Sequence, residues 1–169
     1  MNVLQLHPIE VRQLGETDAH HIEGLFNGLS DQDRYFRFFR PMPTYPTAVM
    51  DLLTGMDGID HVAVGAFVDG TCAGVARFIR STRRPTVAEV AVSVADGHRG
   101  MGLARRLVAA LDVLAVDRDI ERFEIYVHPG NRPAAQLFRS LGFTLVLDSG
   151  TLEGERRVGA AEPAPALAA

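Results

Sequence analysis

The spacing of apolar residues changes along the chain, and each change predicts a different kind of element. Near the start, residues 11–14 predict a short strand. Ile22, Leu25 and Phe26 then recur at spacings of three and four behind a Thr17–Asp18 cap, as expected for a helix that buries one face.

A run of aromatic and arginine side chains occupies residues 34–40, after a helix cap at Ser30 and before Pro41. Two interpretations are open. In the first, a helix buries the aromatic side chains and turns its arginines to solvent. In the second, the segment forms one wall of a substrate cleft. Periodicity is weak over residues 28–60, and we expect irregular structure there.

From residue 61 the pattern becomes typical of strands. Residues 61–68 and 74–80 flank Asp69 and Gly70, a dipeptide that favours hairpin turns, and residues 86–94 form a third, valine-rich segment. Three successive antiparallel strands are predicted.

Past residue 95 the pattern predicts a glycine turn, a helix over 102–116, a strand over 123–127, a helix over 133–141 and a strand over 143–147. In the first of these helices, apolar side chains recur on one face: Leu103, Leu107, Val108, Leu111 and Leu114. One mixed α/β domain follows. Residues 159–169 are rich in Ala and Pro without periodicity, and we expect a disordered tail there.

Composition removes several classes of function. All 17 basic residues are arginine, so the chain has no lysine of its own for a Schiff base or a P-loop. The net charge of -4 argues against nucleic acid as a main partner, and no apolar run is long enough to span a membrane. A single cysteine favours a reducing cytoplasm. The six histidines lack the spacing of a zinc site, so no metal is expected.

The glycine turn between the third strand and the long helix is the strongest chemical signal. Small residues before a helix N-terminus leave backbone N–H groups free for an anion such as a phosphate. A dinucleotide-binding fingerprint does not fit, because Arg105 stands where the third glycine counted from Gly100 is needed.

Two motifs carry a resemblance to a known family. The first is Arg99-x-x-Gly102-x-Ala104. The second covers residues 131–143 and has the form Asn-x-x-Ala-x-x-Leu-aromatic-x-x-Leu-Gly-Phe. With both motifs, residues 8–158 resemble the GCN5-related N-acetyltransferases. Residues 28–39 and 88–92 are most similar to the acetyltransferase domains of bacterial protein-lysine acetyltransferases.

The resemblance implies a fold and a co-substrate. We expect a domain over residues 1–158 with a mixed, mostly antiparallel sheet of about six to seven strands, flanked by helices, that binds acetyl-CoA. The main chain of Val92 and Val94 would bind the pantetheine arm, Asn131 would contact it, and Phe138 would line the same site. The pyrophosphate would lie on the turn formed by Arg99, Gly100, Met101, Gly102, Leu103 and Ala104.

The resemblance also implies catalytic groups. A lysine-type amine has a pKa of about 10.4 and is almost wholly protonated at neutral pH, so a general base is useful. Glu89 occupies the position of the family's catalytic glutamate. Its simpler alternative role is an ion pair with Arg77 or Arg80. The backbone N–H of Val92 would polarise the thioester carbonyl.

One departure from the family concerns the leaving thiolate. Many relatives have a tyrosine at the position of Phe138, and its hydroxyl protonates the thiolate, which phenylalanine cannot do. Tyr126 or water is the candidate replacement.

The sequence leaves open which molecule carries the amine that accepts the acetyl group. A protein lysine is the first hypothesis, and an aminoglycoside, a polyamine or an amino acid is the rival within the enzyme class. A binding module for acyl-CoA without turnover is the alternative from another class. The oligomeric state is expected to be a monomer or a homodimer.

Overall fold

The computed structural model describes residues 8–159, and within that range it contains seven strands and five α-helices. In chain order these are β1 (Ile9–Leu14), α1 (Ala19–Asn27), α2 (Asp31–Phe38), α3 (Thr47–Thr54), β2 (His61–Val68), β3 (Thr71–Arg80), β4 (Val87–Val94), α4 (Leu103–Val116), β5 (Arg122–Val127), α5 (Arg132–Ser140), β6 (Thr144–Asp148) and β7 (Thr151–Arg157).

The seven strands form one sheet in the order β1-β2-β3-β4-β5-β7-β6. Each neighbouring pair is antiparallel except β4 and β5, which are parallel. A parallel pair needs a crossover connection, and α4 supplies it. The predicted mixed, mostly antiparallel sheet flanked by helices is therefore confirmed.

The sheet has an apolar layer on each face. On one face, α4 packs against β1 to β4 and α5 contacts β6, and Leu103, Leu107 and Leu111 of α4 have at most 1% of their surface exposed. Burying one such side chain stabilises the fold by roughly 1.5–3 kcal/mol. On the other face, α1 and α3 cover β2 and β3, with Phe26 and Leu53 at the centre.

A buried ion pair ties α4 to the last strand. Arg156 of β7 donates to Asp112 of α4 at 2.7 Å, and both residues are buried. The N–H of Gly159 donates to the other oxygen of Asp112 at 3.1 Å. The guanidinium of Arg156 also lies over the rings of Phe123 and Phe143.

Two segments differ from the sequence-based expectation. Residues 28–60 are not irregular, because α2 and α3 occupy much of that segment. The sequence pattern also predicts no strand between residues 148 and 158, whereas β7 lies there and pairs with both β5 and β6. The tail predicted over residues 159–169 lies outside the described residues, apart from Gly159.

Two further observations concern residues 8–159 alone. No helix in that range is long and apolar enough to span a bilayer. No three His, Cys, Asp or Glu side chains in the range come together as a metal-binding group would require.

Candidate functional site

The central sheet opens between β4 and β5. The parallel pairing covers Val87 to Glu89 of β4 against Arg122 to Glu124 of β5 and then stops. β4 continues for five more residues, to Val94, and within residues 8–159 these pair with β3 alone. Along that stretch the other edge of β4 has no partner strand in the described part of the chain.

The unpaired edge presents defined backbone groups. The N–H of Ala95 donates to the carbonyl of Ala73 at 2.9 Å, so the amide at position 95 faces β3. Amide direction alternates along a strand, which turns the N–H groups of Val92 and Val94 away from β3 and into the opening. An extended ligand can pair with these groups as an added strand would.

A cavity of about 1030 Å³ occupies this opening. β4, the glycine turn, the start of α4, the end of β5, α5 and α2 all contribute to its walls. The structure brings these residues of the predicted site to that cavity: Glu89, Val92, Val94, Arg99, Gly100, Gly102, Leu103, Ala104, Tyr126, Asn131 and Phe138. Met101 does not line it and packs against the core instead.

The glycine turn has a backbone shape that other residues adopt only at a cost. Gly100 and Gly102 have φ of 78° and 73°, in the left-handed region. The N–H of Arg106 donates to the carbonyl of Gly102 at 3.2 Å and forms the first i→i−4 hydrogen bond of α4. The amides of Leu103 and Ala104 precede it, so the helix N-terminus can bind an anion.

Arg99 is held at the mouth of this turn by two carboxylates. Its guanidinium lies 2.7 Å from Asp33 of α2 and 2.8 Å from Asp96. The hydrogen bond to Asp33 raises the pKa of Arg99. Burial raises the pKa of Asp33, but the hydrogen bonds from Arg99 and Ser30 outweigh it and the pKa falls below its usual value. Asp33 thus links α2 to the turn, a contact that sequence reasoning missed.

Glu89 is an exposed residue of β4 that faces the cavity. Its neighbours Ala88 and Val90 point to the opposite face and are buried. Within residues 8–159, neither Arg77 nor Arg80 forms an ion pair with Glu89. Arg80 instead pairs with Asp60 at 2.6 Å. The simple ion-pair role weighed for Glu89 is therefore absent from the described chain.

Two arginines lie within electrostatic range of Glu89. Arg77 of β3 is 4% exposed, and burial together with the charge of Arg37 lowers its pKa well below the usual value. Arg37 of α2 lines the cavity, and burial lowers its pKa as well. The charge of Glu89 acts on both guanidinium groups in the opposite direction. The outward orientation considered for the α2 arginines is therefore wrong for Arg37.

Aromatic rings of α2 and of Phe39, the residue after it, gather around His128. Tyr35, Phe36 and Phe39 have ring centroids 5.2, 5.2 and 5.7 Å from the ring of His128, at the end of β5. Phe39 has φ of 57°, a conformation that costs energy for a bulky side chain. Of the two interpretations of residues 34–40, the cleft wall is the one that the structure supports.

The two aromatic side chains considered for proton transfer lie on different walls. Phe138 of α5 is 6% exposed and packs edge to face against Phe143, at 5.3 Å between centroids. Tyr126 of β5 is 43% exposed. Burial raises its pKa, and the charges of Glu124, Glu153 and Glu89 raise it further, so its hydroxyl keeps its proton at neutral pH.

Asn131 and His98 complete the polar groups around the opening. The side chain of Asn131 accepts a hydrogen bond from the N–H of Ala134 at 3.2 Å and caps α5. His98, beside the glycine turn, has a buried Nδ1 without a hydrogen-bond partner in the described part of the chain. A buried nitrogen of this kind is a ready partner for a ligand.

Comparison with known proteins agrees with this geometry. The family described as "Acetyltransferase (GNAT) family" matches residues 27–143, which is more than half of the chain. The chain belongs to the GNAT family. The resemblance inferred from the two motifs is confirmed, and the opening between β4 and β5 lies within the matched residues.

Individual relatives of this GNAT chain differ in what their names describe. It is 29% identical over 126 residues to acetyltransferase Pat of Mycolicibacterium smegmatis, covering 72% of this chain and 38% of Pat. It is 35% identical over 104 residues to streptothricin acetyltransferase of Streptomyces lavendulae, covering 61% and 54%. It therefore spans about half the length of these curated relatives, or less.

A solved structure agrees with the fold. The GNAT domain of S. lividans PAT superposes with a TM-score of 0.82 at 28% sequence identity, covering 88% of this chain and 90% of that domain.

Proposed function

We propose that this GNAT chain is an acetyl-CoA-dependent N-acetyltransferase that acts on a primary amine. The acetyl group would pass directly from the thioester to the amine while both substrates are bound, with Glu89 as the general base. The observation that carries the proposal is the unpaired edge of β4, which runs between the glycine turn at one end and Glu89 at the other.

The coenzyme would use backbone groups almost exclusively. The extended pantetheine arm would pair with Val92 and Val94 along the open edge of β4. The pyrophosphate would lie on the amides from Gly100 to Ala104, with Arg99 as a charged contact. Because the chain has no lysine, arginine and backbone amides are the groups left to hold a phosphate.

The reaction then needs one proton removed and one supplied. Glu89 would accept a proton from the amine, whose nitrogen forms a bond to the thioester carbon. The N–H of Val92 would stabilise the oxyanion while the C–S bond breaks. The departing thiolate would take a proton from Tyr126, which keeps its hydroxyl proton at neutral pH, or from water. Phe138 cannot supply it.

A protein lysine is our first proposal for the acceptor. It rests on the similarity of residues 28–39 and 88–92 to bacterial protein-lysine acetyltransferase domains, and on the α2 wall, which residues 34–38 help to build. A small-molecule amine is the second candidate, because the name of a relative at 35% identity specifies streptothricin.

The deciding experiment replaces Glu89 by glutamine and measures CoA release with a lysine peptide. We expect the rate to fall by about 100-fold or more, while the acetyl-CoA dissociation constant stays within about twofold. Glu121→Gln is the matched control, since Glu121 is an exposed glutamate outside the cavity. It should keep the rate of the unmodified protein.

Two outcomes would contradict the proposal in different ways. Tight binding of acetyl-CoA with no CoA release from any amine in a broad panel would favour the non-catalytic binding module. Failure to bind acetyl-CoA at all would show that the glycine turn is not a pyrophosphate site.

A further inference from the structure

Arg37 is a half-buried cation without a hydrogen-bond or ion-pair partner among the described residues. Across residues 8–159 its guanidinium takes part in no hydrogen bond or ion pair, although its side chain lines the cavity beside Glu89. Its Nε is fully buried. A guanidinium carries five N–H donors and stays protonated in proteins, so each buried donor without an acceptor is unfavourable.

The neighbours of Arg37 do not compensate its charge. Arg77 is a buried guanidinium and repels it, and the single hydrogen bond described for Arg77 is a long one, 3.5 Å, to the carbonyl of Leu53. His61 adds no charge, because burial and Arg77 lower its pKa. With two arginines and one carboxylate, Glu89, the local charge is +2 − 1 = +1.

Other polar groups near Arg37 are already engaged. The hydroxyl of Tyr45 donates to the carbonyl of Phe26 at 2.8 Å. Asp33, one helical turn earlier on α2, is bound to Arg99. The groups whose charges act on Arg37 are Glu89, Arg77 and Tyr45, none of which belongs to the glycine turn. Arg37 therefore faces the part of the cavity that Glu89 lines.

We propose that Arg37 binds a carboxylate carried by the acceptor molecule itself, while the amine of the same molecule lies at Glu89. This inference rests on the proposed function and names the substrate class that the site would take. The two arginines and Glu89 sum to +1, and an acceptor carboxylate supplies one negative charge that balances them. Arginine and carboxylate also match in geometry, through two parallel N–H···O bonds.

The carboxylate has two possible sources, the α-carboxylate of an amino acid or an acidic side chain next to a lysine in a peptide. Two matched pairs of acceptors separate them. The first pair is Nα-acetyl-lysine and its amide. The second pair is a glutamyl-lysine and a glutaminyl-lysine dipeptide, both blocked at each terminus. All assays use one ionic strength and a buffer without carboxylates.

The unmodified protein should favour the carboxylate member of at least one pair by about tenfold or more in kcat/KM. Arg37→Gln should reduce that preference to about twofold or less, and Arg37→Lys should leave an intermediate preference because it keeps the charge without the fork. Arg40→Gln is the control, since Arg40 is an exposed arginine three residues away that does not line the cavity. It should keep the full preference.

Three results would overturn the proposal. The unmodified protein could show no preference within either pair, or the preference could survive in Arg37→Gln. Arg37→Gln could also weaken acetyl-CoA binding as strongly as acceptor use, which would assign Arg37 to the coenzyme. An Arg37→Gln protein that does not fold would also lose the preference for the carboxylate acceptor, so the folding of each variant is first checked by thermal melting. If Arg37→Gln is unfolded, the result for Arg37→Lys is used to test the proposal.

A binding measurement separates this inference from the proposed function. If no acceptor releases CoA, calorimetry with Nα,Nε-diacetyl-lysine and its amide is run on the protein saturated with CoA. Tighter binding of the carboxylate by about tenfold, lost in Arg37→Gln, would keep the anion site without turnover. Equal binding, or none, would refute it.

Discussion

Replacing Gly102 by alanine measures the free energy that a residue other than glycine needs to adopt the backbone shape of the glycine turn. Its φ of 73° lies in the left-handed region, and a Cβ built there meets no atom within 4 Å. Replacement by alanine therefore introduces no clash, and its cost is the left-handed backbone alone, about 1–2 kcal/mol. Gly97, in the same turn, is equally open but has no positive φ.

Comparing Gly102→Ala with Gly97→Ala removes the effect that both share. In both variants the alanine lowers the conformational entropy of the unfolded chain, and this contribution alone favours the folded state by about 0.4–1 kcal/mol. The difference between the two variants thus isolates the cost of the left-handed backbone. If the turn keeps its shape, urea unfolding should place Gly102→Ala about 1–2 kcal/mol below Gly97→Ala.

If the turn in Gly102→Ala instead relaxes to another backbone shape, the protein keeps its stability. The same free energy is then lost from acetyl-CoA binding, because the turn must return to its original shape to bind. Acetyl-CoA affinity of Gly102→Ala would then fall by roughly five- to thirtyfold, measured by calorimetry. Equal unfolding free energies together with equal dissociation constants for the two variants would refute the role assigned to this backbone.

Three further predictions concern stability and proton transfer. Asp112→Ala leaves Arg156 buried without its partner and should lower the unfolding free energy by about 3–5 kcal/mol, measured in urea. Asp18 has a pKa lowered to about 2, chiefly by the hydrogen bond from Arg12, so its stabilisation is present above about pH 4 and lost as the pH falls through about 2. The stability gap between the unmodified protein and Asp18→Asn should close over that range, and a gap independent of pH would contradict the assignment. Phe138→Tyr should speed CoA release several-fold in initial-rate assays if protonation of the thiolate limits turnover, and an unchanged rate would assign that proton to another group.

The parts of the fold with a strong local pattern could be predicted from the sequence. The strands that became β2 to β4 alternate or run apolar between turn residues, and α4 repeats its buried leucines every three or four positions. In contrast, α3 has a short apolar stretch after Pro46 with one fully buried residue, Leu53. β7 is rich in Glu and Arg, and its pairing with β5 and β6, not its own hydrophobicity, makes it a strand.

Some residues of the candidate site could likewise be predicted from local sequence, and others could not. The glycine turn and Glu89 could be located because motif spacing is a property of contiguous sequence. The inward position of Arg37 and the contact between Asp33 and Arg99 depend on how α2 crosses the sheet, a tertiary relation that helical periodicity does not encode. For residues 34–40 the sequence left two interpretations open, a helix with buried aromatic side chains and a cleft wall, and the cavity between β4 and β5 favours the second.

The open edge of β4 also bears on solubility. A strand with free N–H and C=O groups is a template on which other chains can aggregate. Here that edge lies in the middle of the sheet, recessed between Phe36 of α2 and Leu137 of α5. A single extended ligand can reach this edge, whereas another folded sheet would meet α2 and α5 first. The unpaired backbone groups of β4 therefore remain accessible to an extended ligand but are shielded from the strands of neighbouring protein molecules.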